Sequence, residues 1–358
     1  MNYPGSNNIE GGVLIALSGL QDIKVHNDTV ELGPGLRWYQ VYDALEPYGR
    51  LTLGGRLKTI GVPGLSLIGG FHYFINKYGF VMDQIVSYDV ILGNGTQITP
   101  NRTAHKDLFW ALKGGANNFG IVTKFIFKTY AIPQVSSTIQ EFNENGIYDF
   151  ITASTNLAKL DDQKNPIAAG GVLTINYNAT TKEVSALLLG LQEGVSNPPS
   201  QFANFTAIPG PVKINNVTTA AQWASTLETP NQMFRVMFSH HTIKPDADVL
   251  YSLYQAWKSG VDQIADVQVW QFSTGWALEQ DDLRVEARSR QLITHLHAEN
   301  RAKNLSSEFI YMGDAGEWQD PYAGFPPANV ARMRAIRAAY DPNGIFSRLN
   351  WGGFKLGL

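Results

Sequence analysis

The sequence contains no cysteine. Disulfides, thiolate nucleophiles and metal sites built on sulfur are therefore excluded. Long apolar runs are also missing. No stretch reaches the roughly 18 residues of a membrane span, and the best short run, Val13 to Leu17, reads only as a strand. Charge is scarce and balanced, with 28 Lys and Arg against 31 Asp and Glu. A net charge of −3 without a basic cluster excludes nucleic acid as an expected partner, because phosphate recognition needs grouped cations. The opening residues MNYPGSNNIEGG hold neither a basic nor an apolar signal-peptide region. N-x-Ser/Thr triplets at Asn27, Asn94, Asn101, Asn178, Asn204, Asn216 and Asn304 point instead to a secretory history.

What is present is a long, apolar-rich chain. Its 358 residues, 44% of them hydrophobic, are too many for one ordinary core and imply two packed domains. The first part is rich in glycine and in short β-type runs. GVLIALSGL, Thr29 to Leu32, IVSYDVILGNGTQIT and IVTKFIFKTY read as strands, with Asn94–Gly95 as a hairpin turn. RWYQVYDALEPYG reads as an amphipathic helix ended by Gly49, and DLFWALKGG as a second helix. After Pro133 longer patterns follow. Helices are expected near Gly146 to Leu160, over KEVSALLLGLQE, over DADVLYSLYQAWKSG and over NVARMRAIRAAYD. GGVLTINYNA, MFRVMFSHHTI, QVWQFSTGWA and FIYMGDA read as strands, and residues 194–217 as a loop. Such alternation gives an α+β class, with helices covering one face of a mainly antiparallel sheet.

Two segments carry chemistry. In GGRLKTIGVPGLSLIGGFHYFINKYGFVMD, glycines at 54, 55, 61, 64, 69 and 70 permit positive φ and close approach of a ligand to backbone N–H groups. Tight turns between strands explain a glycine cluster equally well. Neither a P-loop nor a Rossmann fingerprint is present. GGANNFGIVTKF offers a place for a flat ring against Gly120 and Ile121, although an ordinary helix-to-strand loop has the same composition.

TIGVPGLSLIGG, YGFVMDQIVSYDVILGNG, DLFWALKGGANNFGIVTKF and YDPNGIFSRLNWGGFKL, taken together and in this order, resemble the berberine-bridge-enzyme-like oxidases of the vanillyl-alcohol-oxidase family, fungal members above all. The resemblance implies a PCMH-type FAD-binding domain of two α+β lobes and a separate substrate domain. Residues 1–130 would be the second lobe with the first lobe missing, 131–315 the substrate domain, and 316–358 a return segment packing on the FAD domain. Thr59, Ile60, Gly61, Gly64, Leu65, Gly69 and Gly70 would line the flavin and pyrophosphate. Gly79 and Asp83 would shape the same wall, Gly120, Ile121 and Val122 would border the adenine, and Asn350 would approach the ring. The family's covalent cysteine matches Leu57, so FAD is expected to bind non-covalently if it binds.

The reaction the resemblance implies passes hydride from a substrate C–H to flavin N5, a protein base takes the O–H or N–H proton, and O2 reoxidises the flavin. Tyr311 matches the family's active-site tyrosine and, with a lowered pKa, would be that base; a hydrogen-bonded core tyrosine is the plainer reading. Glu317 is a second acid–base candidate, against a solvated surface carboxylate. Gln271 is a substrate-facing candidate, against a surface amide. The histidines lack the spacing of a metal site: His240 and His241 are adjacent, and His295 and His297 lie two apart. The expected function is an FAD-dependent oxidase acting on an alcohol, a carbohydrate or a secondary-metabolite intermediate. A redox-neutral isomerase or cyclase, or a non-catalytic remnant without FAD, is the alternative.

Overall fold

A computed structural model describes residues 9–160, 167–178, 181–210, 212–227, 235–262, 274–276 and 279–357. Two antiparallel sheets organise them. The first runs in the spatial order Ile23–Val25, Thr29–Leu32, Ile121–Lys128, Ile85–Ile91, Gln97–Ile98. Its central strand carries Phe125 and Phe127 into the core, both fully buried. Tyr88 meets Phe125 edge-on at 5.6 Å, and Trp38 meets Phe127 edge-on at 5.6 Å. A fully buried aromatic of this kind contributes about 3 kcal/mol through apolar area removed from water. The expected hairpin forms at Gly95, where φ is +82°, and the edge strand Gln97–Ile98 pairs back on Ile91 and Val90.

The helix Trp38–Leu45 buries Trp38, Val41, Tyr42 and Leu45 on one stripe. A single 3-10 turn, Glu46–Tyr48, extends it to Gly49, whose left-handed φ of 61° stops it. Trp38 also explains Gly54 and Gly55. A Cβ on Gly54 would lie 2.0 Å from the indole, and one on Gly55 would lie 2.6 Å from it. Both glycines are small because the Trp38 indole packs against them.

The second sheet runs in the order Val212–Thr218, Val135–Asn143, Val184–Glu193, Ala169–Tyr177. Helices Ile147–Ala158 and Ala247–Asp262 pack against it over Phe142, Phe150, Leu188, Phe202 and Phe205. Here several expectations are corrected. KEVSALLLGLQE forms no helix; Val184–Glu193 is the interior strand, hydrogen-bonded on both edges. Its Leu-rich run reads helical by propensity; in the sheet Val184, Ala186 and Leu188 are buried on one face while Leu187 and Leu189 are half-buried on the other, so leucines on both faces hide the alternation of a strand. Residues 194–217 include the edge strand Val212–Thr218. Val13 to Leu17 is no strand, and Val13, Leu14 and Ile15 are exposed. FIYMGDA turns sharply, with Asp314 N–H donating to the Tyr311 carbonyl at 3.1 Å. MFRVMFSHHTI yields only Arg235–Met237 and Thr242–Ile243, in separate two-stranded sheets. The 21-residue helix Asp282–Ala302 has a largely exposed polar surface, so no apolar stripe marked it.

Asn118 fastens the C-terminal tail to the glycine-rich loop before Ile121. It is fully buried, and its amide nitrogen lies 2.8 Å from the Gly115 carbonyl, 3.0 Å from the Tyr322 hydroxyl and 3.1 Å from the Phe354 carbonyl. Its oxygen accepts from Leu356 N–H at 3.2 Å. Asn118→Ala strands these groups in a buried place, so a loss of about 2–4 kcal/mol in urea unfolding is expected. A loss within experimental error would show that the tail is held by other contacts.

Candidate functional site

The chain from Ile60 to Gly61 runs antiparallel beside residues 36–38, with Gly61 bridged to Arg37. Trp38 N–H donates to the Ile60 carbonyl at 3.0 Å, Val62 N–H to the Leu36 carbonyl at 3.0 Å, and the Arg37 guanidinium to the Thr59 carbonyl. A short helix, Val62–Ser66, follows, after which Gly69 and Gly70 turn with φ of +104° and +81°. Their carbonyls accept Met82 and Val81 N–H at 2.9 and 3.0 Å. The result is a fixed wall from Thr59 to Gly70.

Glycines on and near this wall fall into two kinds. A Cβ on Gly64 would meet nothing within 4 Å, and one on Gly61 would meet its nearest atom at 3.9 Å. Gly64 is exposed, and Thr59, Ile60 and Leu65 beside it are half-buried. This edge is bare backbone flanked by apolar side chains, the surface that suits a flat ring with polar edges. The other kind is closed by the protein's own atoms. A Cβ on Gly70 would lie 2.7 Å from Val81, on Gly79 2.9 Å from the Asp83 carboxylate, and on Gly120 2.6 Å from Val90. Asp83 is exposed and accepts Phe80 N–H at 3.0 Å, so it and Gly79 shape a local turn. Ile121 and Val122 are laddered against Ile91 and Val90. The residues expected to line one cofactor thus separate into an open edge, Gly61 to Leu65, and positions with a packing role.

The wall, the loop of residues 114–118 and the tail are nevertheless one connected body. Ala116 N–H donates to the Leu67 carbonyl at 2.9 Å, Asn117 donates to the Gly352 carbonyl at 3.3 Å, and the Lys355 ammonium reaches the Asn117 and Phe346 carbonyls at 3.1 and 2.9 Å. Burial lowers the Lys355 pKa to about 8, with Asp341 opposing it. Asn350 is half-buried on this tail, between exposed Leu349 and Trp351.

Tyr311 stands at the wall. Its ring would be 3.7 Å from a Cβ on Gly69 and packs edge-on against Phe71 at 4.4 Å. Phe71, Phe80 and Phe309 keep its surroundings apolar. The expectation of a lowered pKa fails. Burial, then Asp314, pushes the Tyr311 hydroxyl well above the usual tyrosine range, while Arg56 and the Phe71 and Gly70 N–H groups oppose them. Tyr311 is a neutral hydroxyl here. Glu317 does not join it: the carboxylate is exposed, and its pKa is raised by partial burial and by Glu286, with Arg290 opposing. Gln271 lies outside the described residues.

The adjacent histidines do face opposite ways. His240 lies 6.4 Å from the Tyr311 ring, with Nε2 at 2.8 Å from the Thr242 hydroxyl, and burial lowers its pKa. His241 instead meets His297, Nδ1 to Nδ1 at 2.8 Å. Among the described residues no group of three or more His, Asp or Glu could hold a metal ion. Arg56, His240 and Asn118 were missed as site-forming residues; only the Gly-Gly-Arg and Asn-Asn doublets stood in the sequence as signals, and neither spells a role.

A family model described as an FAD binding domain matches residues 1–100. The FAD-dependent monooxygenase prx3 of Penicillium roqueforti is 30% identical over 99% of this chain and 80% of its own length. 6-Hydroxy-D-nicotine oxidase from Arthrobacter nicotinovorans superposes with a TM-score of 0.75 at 16% identity, over 96% of this chain and 83% of that one. Berberine bridge enzyme from Eschscholzia californica superposes with a TM-score of 0.68 at 15% identity, over 93% of this chain and 79% of that one.

His72, two residues past Gly70, is buried, and burial first, then Arg56, lowers its pKa to about 3. Unfolded, it would take up a proton near its ordinary 6.5. Its contribution to stability is therefore complete above that pH and is lost as pH falls toward 3, at about 1.4 kcal/mol per pH unit. His72→Asn keeps an acceptor for Phe74 N–H and cannot titrate, so urea midpoints from about pH 6 to about pH 4 should fall less steeply than in the wild type. Equal slopes would show that His72 does not resist protonation.

Proposed function

Because the chain belongs to the FAD-linked oxidoreductases of the vanillyl-alcohol-oxidase and berberine-bridge type, we propose that it oxidises a C–H bond beside oxygen or nitrogen in a small substrate, with O2 as final electron acceptor. An alcohol, a carbohydrate or a secondary-metabolite intermediate is the substrate class. The observation that carries this reading is the bare edge at Gly61 and Gly64 on the wall that also bears Tyr311. Bound FAD supplies the two-electron acceptor. Thr59, Ile60, Gly61, Gly64 and Leu65 would hold its flat surface, and the loop of Asn117 and Asn118 would keep wall and tail in place around it. Leu57 offers no nucleophile, so FAD would be held there without a covalent bond.

Tyr311 would act as a neutral hydroxyl that fixes the substrate oxygen, since its surroundings disfavour the phenolate. The aromatic side chains of Phe71, Phe80 and Phe309 exclude water from that place. A redox-neutral isomerisation or cyclisation is the second reading, favoured by the same neutral Tyr311, which suits a proton donor. Peroxide release during turnover separates the two.

Two variants test the proposal. Gly64→Phe adds a side chain where the protein has no atoms, so the fold should keep its Tm while FAD retention, read from the visible flavin band after ultrafiltration, weakens at least about ten-fold. Unchanged retention would move the cofactor off this wall. Tyr311→Phe should lower kcat/KM by about 10-fold to 100-fold with no shift of the pH–rate profile. A lost basic or acidic limb would instead make Tyr311 the proton acceptor.

A further inference from the structure

A small cavity is lined by Tyr42, Gly55, Arg56, His72, Tyr73 and Trp223, with apolar side chains closing the rest. Its volume of about 10 Å³ suits one water molecule or one small ion. The polar groups around it are almost all donors. Tyr73 and Trp223 are buried; the Trp223 indole N–H lies close enough to act on the Tyr73 hydroxyl, yet neither group closes a hydrogen bond of good geometry. His72 Nδ1 accepts Phe74 N–H at 3.1 Å, so the neutral ring carries its proton on Nε2. Arg56 is half-buried and has no carboxylate partner among the described residues. Its positive charge disfavours protonation of His72 and lowers the pKa of the Tyr73 and Tyr311 hydroxyls, against the larger effect of burial on both tyrosines.

Buried donors without acceptors cost about 1–3 kcal/mol each, and native structures fill such places. A water molecule accepts two hydrogen bonds and must donate two. The Gly55 carbonyl already accepts the Tyr42 hydroxyl at 2.9 Å and has one lone pair left, so that lone pair and the Tyr73 oxygen stand against the donors of Arg56, His72, Trp223 and Tyr73. An anion accepts from every donor and also neutralises Arg56. We propose that this cavity binds a small monovalent anion, either a halide or the carboxylate of a molecule as small as formate, held by Arg56, Tyr73, Trp223 and His72.

Chloride-35 NMR line broadening of the full chain is the test, with Arg56→Gln and Tyr73→Phe as variants and circular dichroism confirming that each is folded. The wild type should give excess broadening that bromide displaces. Arg56→Gln should weaken chloride binding about ten-fold or more, and Tyr73→Phe about three-fold to ten-fold. Displacement of chloride by formate at lower concentration than by bromide would identify a carboxylate as the preferred occupant, and the reverse order a halide. Either order supports the anion site. Absence of excess broadening in the wild type would overturn the proposal in favour of a water-filled cavity. So would broadening that is undiminished in a folded Tyr73→Phe and a folded Arg56→Gln protein.

Discussion

Asn118 bonds to its own loop at the Gly115 carbonyl and to two places far off in sequence, the hydroxyl of Tyr322 and the backbone of the tail at Phe354 and Leu356. Every one of these groups is out of reach of bulk water, so each needs the others. Because Ala116 in the same loop donates to Leu67, the amide also fixes the distance between the tail and the glycine wall. Remove that constraint and the wall is a set of turns on a sheet edge. With it, the wall, the loop and the tail are a single rigid element, which is what a cofactor surface requires.

The glycines show why composition alone overstates a site. Six were expected to give a ligand access to backbone from 54 to 70. Gly54 and Gly55 are small because the indole of Trp38 occupies the space beside them, and Gly70 because Val81 does. Only Gly61 and Gly64 leave room that the protein does not fill, with Gly69 in ordinary contact with Phe80 and Tyr311. A glycine forced by packing and a glycine kept for a ligand look identical in sequence. Geometry tells them apart by what a Cβ would meet.

Much of the first sheet was legible because its cues are local. The Asn94–Gly95 turn, the Gly49 stop and the alternating strand Ile121–Lys128 each act within a few residues. Val184–Glu193 was not legible. An interior strand with leucines on both its buried and its half-buried face shows no clear polar alternation, and leucines favour a helix when no partner strand is in view. Val13 to Ile15 failed in the opposite sense, since β-branched residues make no strand without a neighbour to pair with. At the site, the protonation of Tyr311 depends first on burial and then on Asp314, Arg56 and the Phe71 and Gly70 N–H groups, none of which a motif records. The Gly-Gly-Arg run did not spell a role for Arg56, because a lone arginine acquires meaning only from its neighbours in the fold, and among the described residues it has no carboxylate partner.

Hydrogen exchange read by mass spectrometry, with and without FAD, examines the whole surface at once. The account predicts slowed exchange in peptides that span residues 57–70, with smaller protection at 114–122 and 350–356 transmitted through the Asn118 contacts. FAD bound to the chain with protection confined to other segments would contradict it.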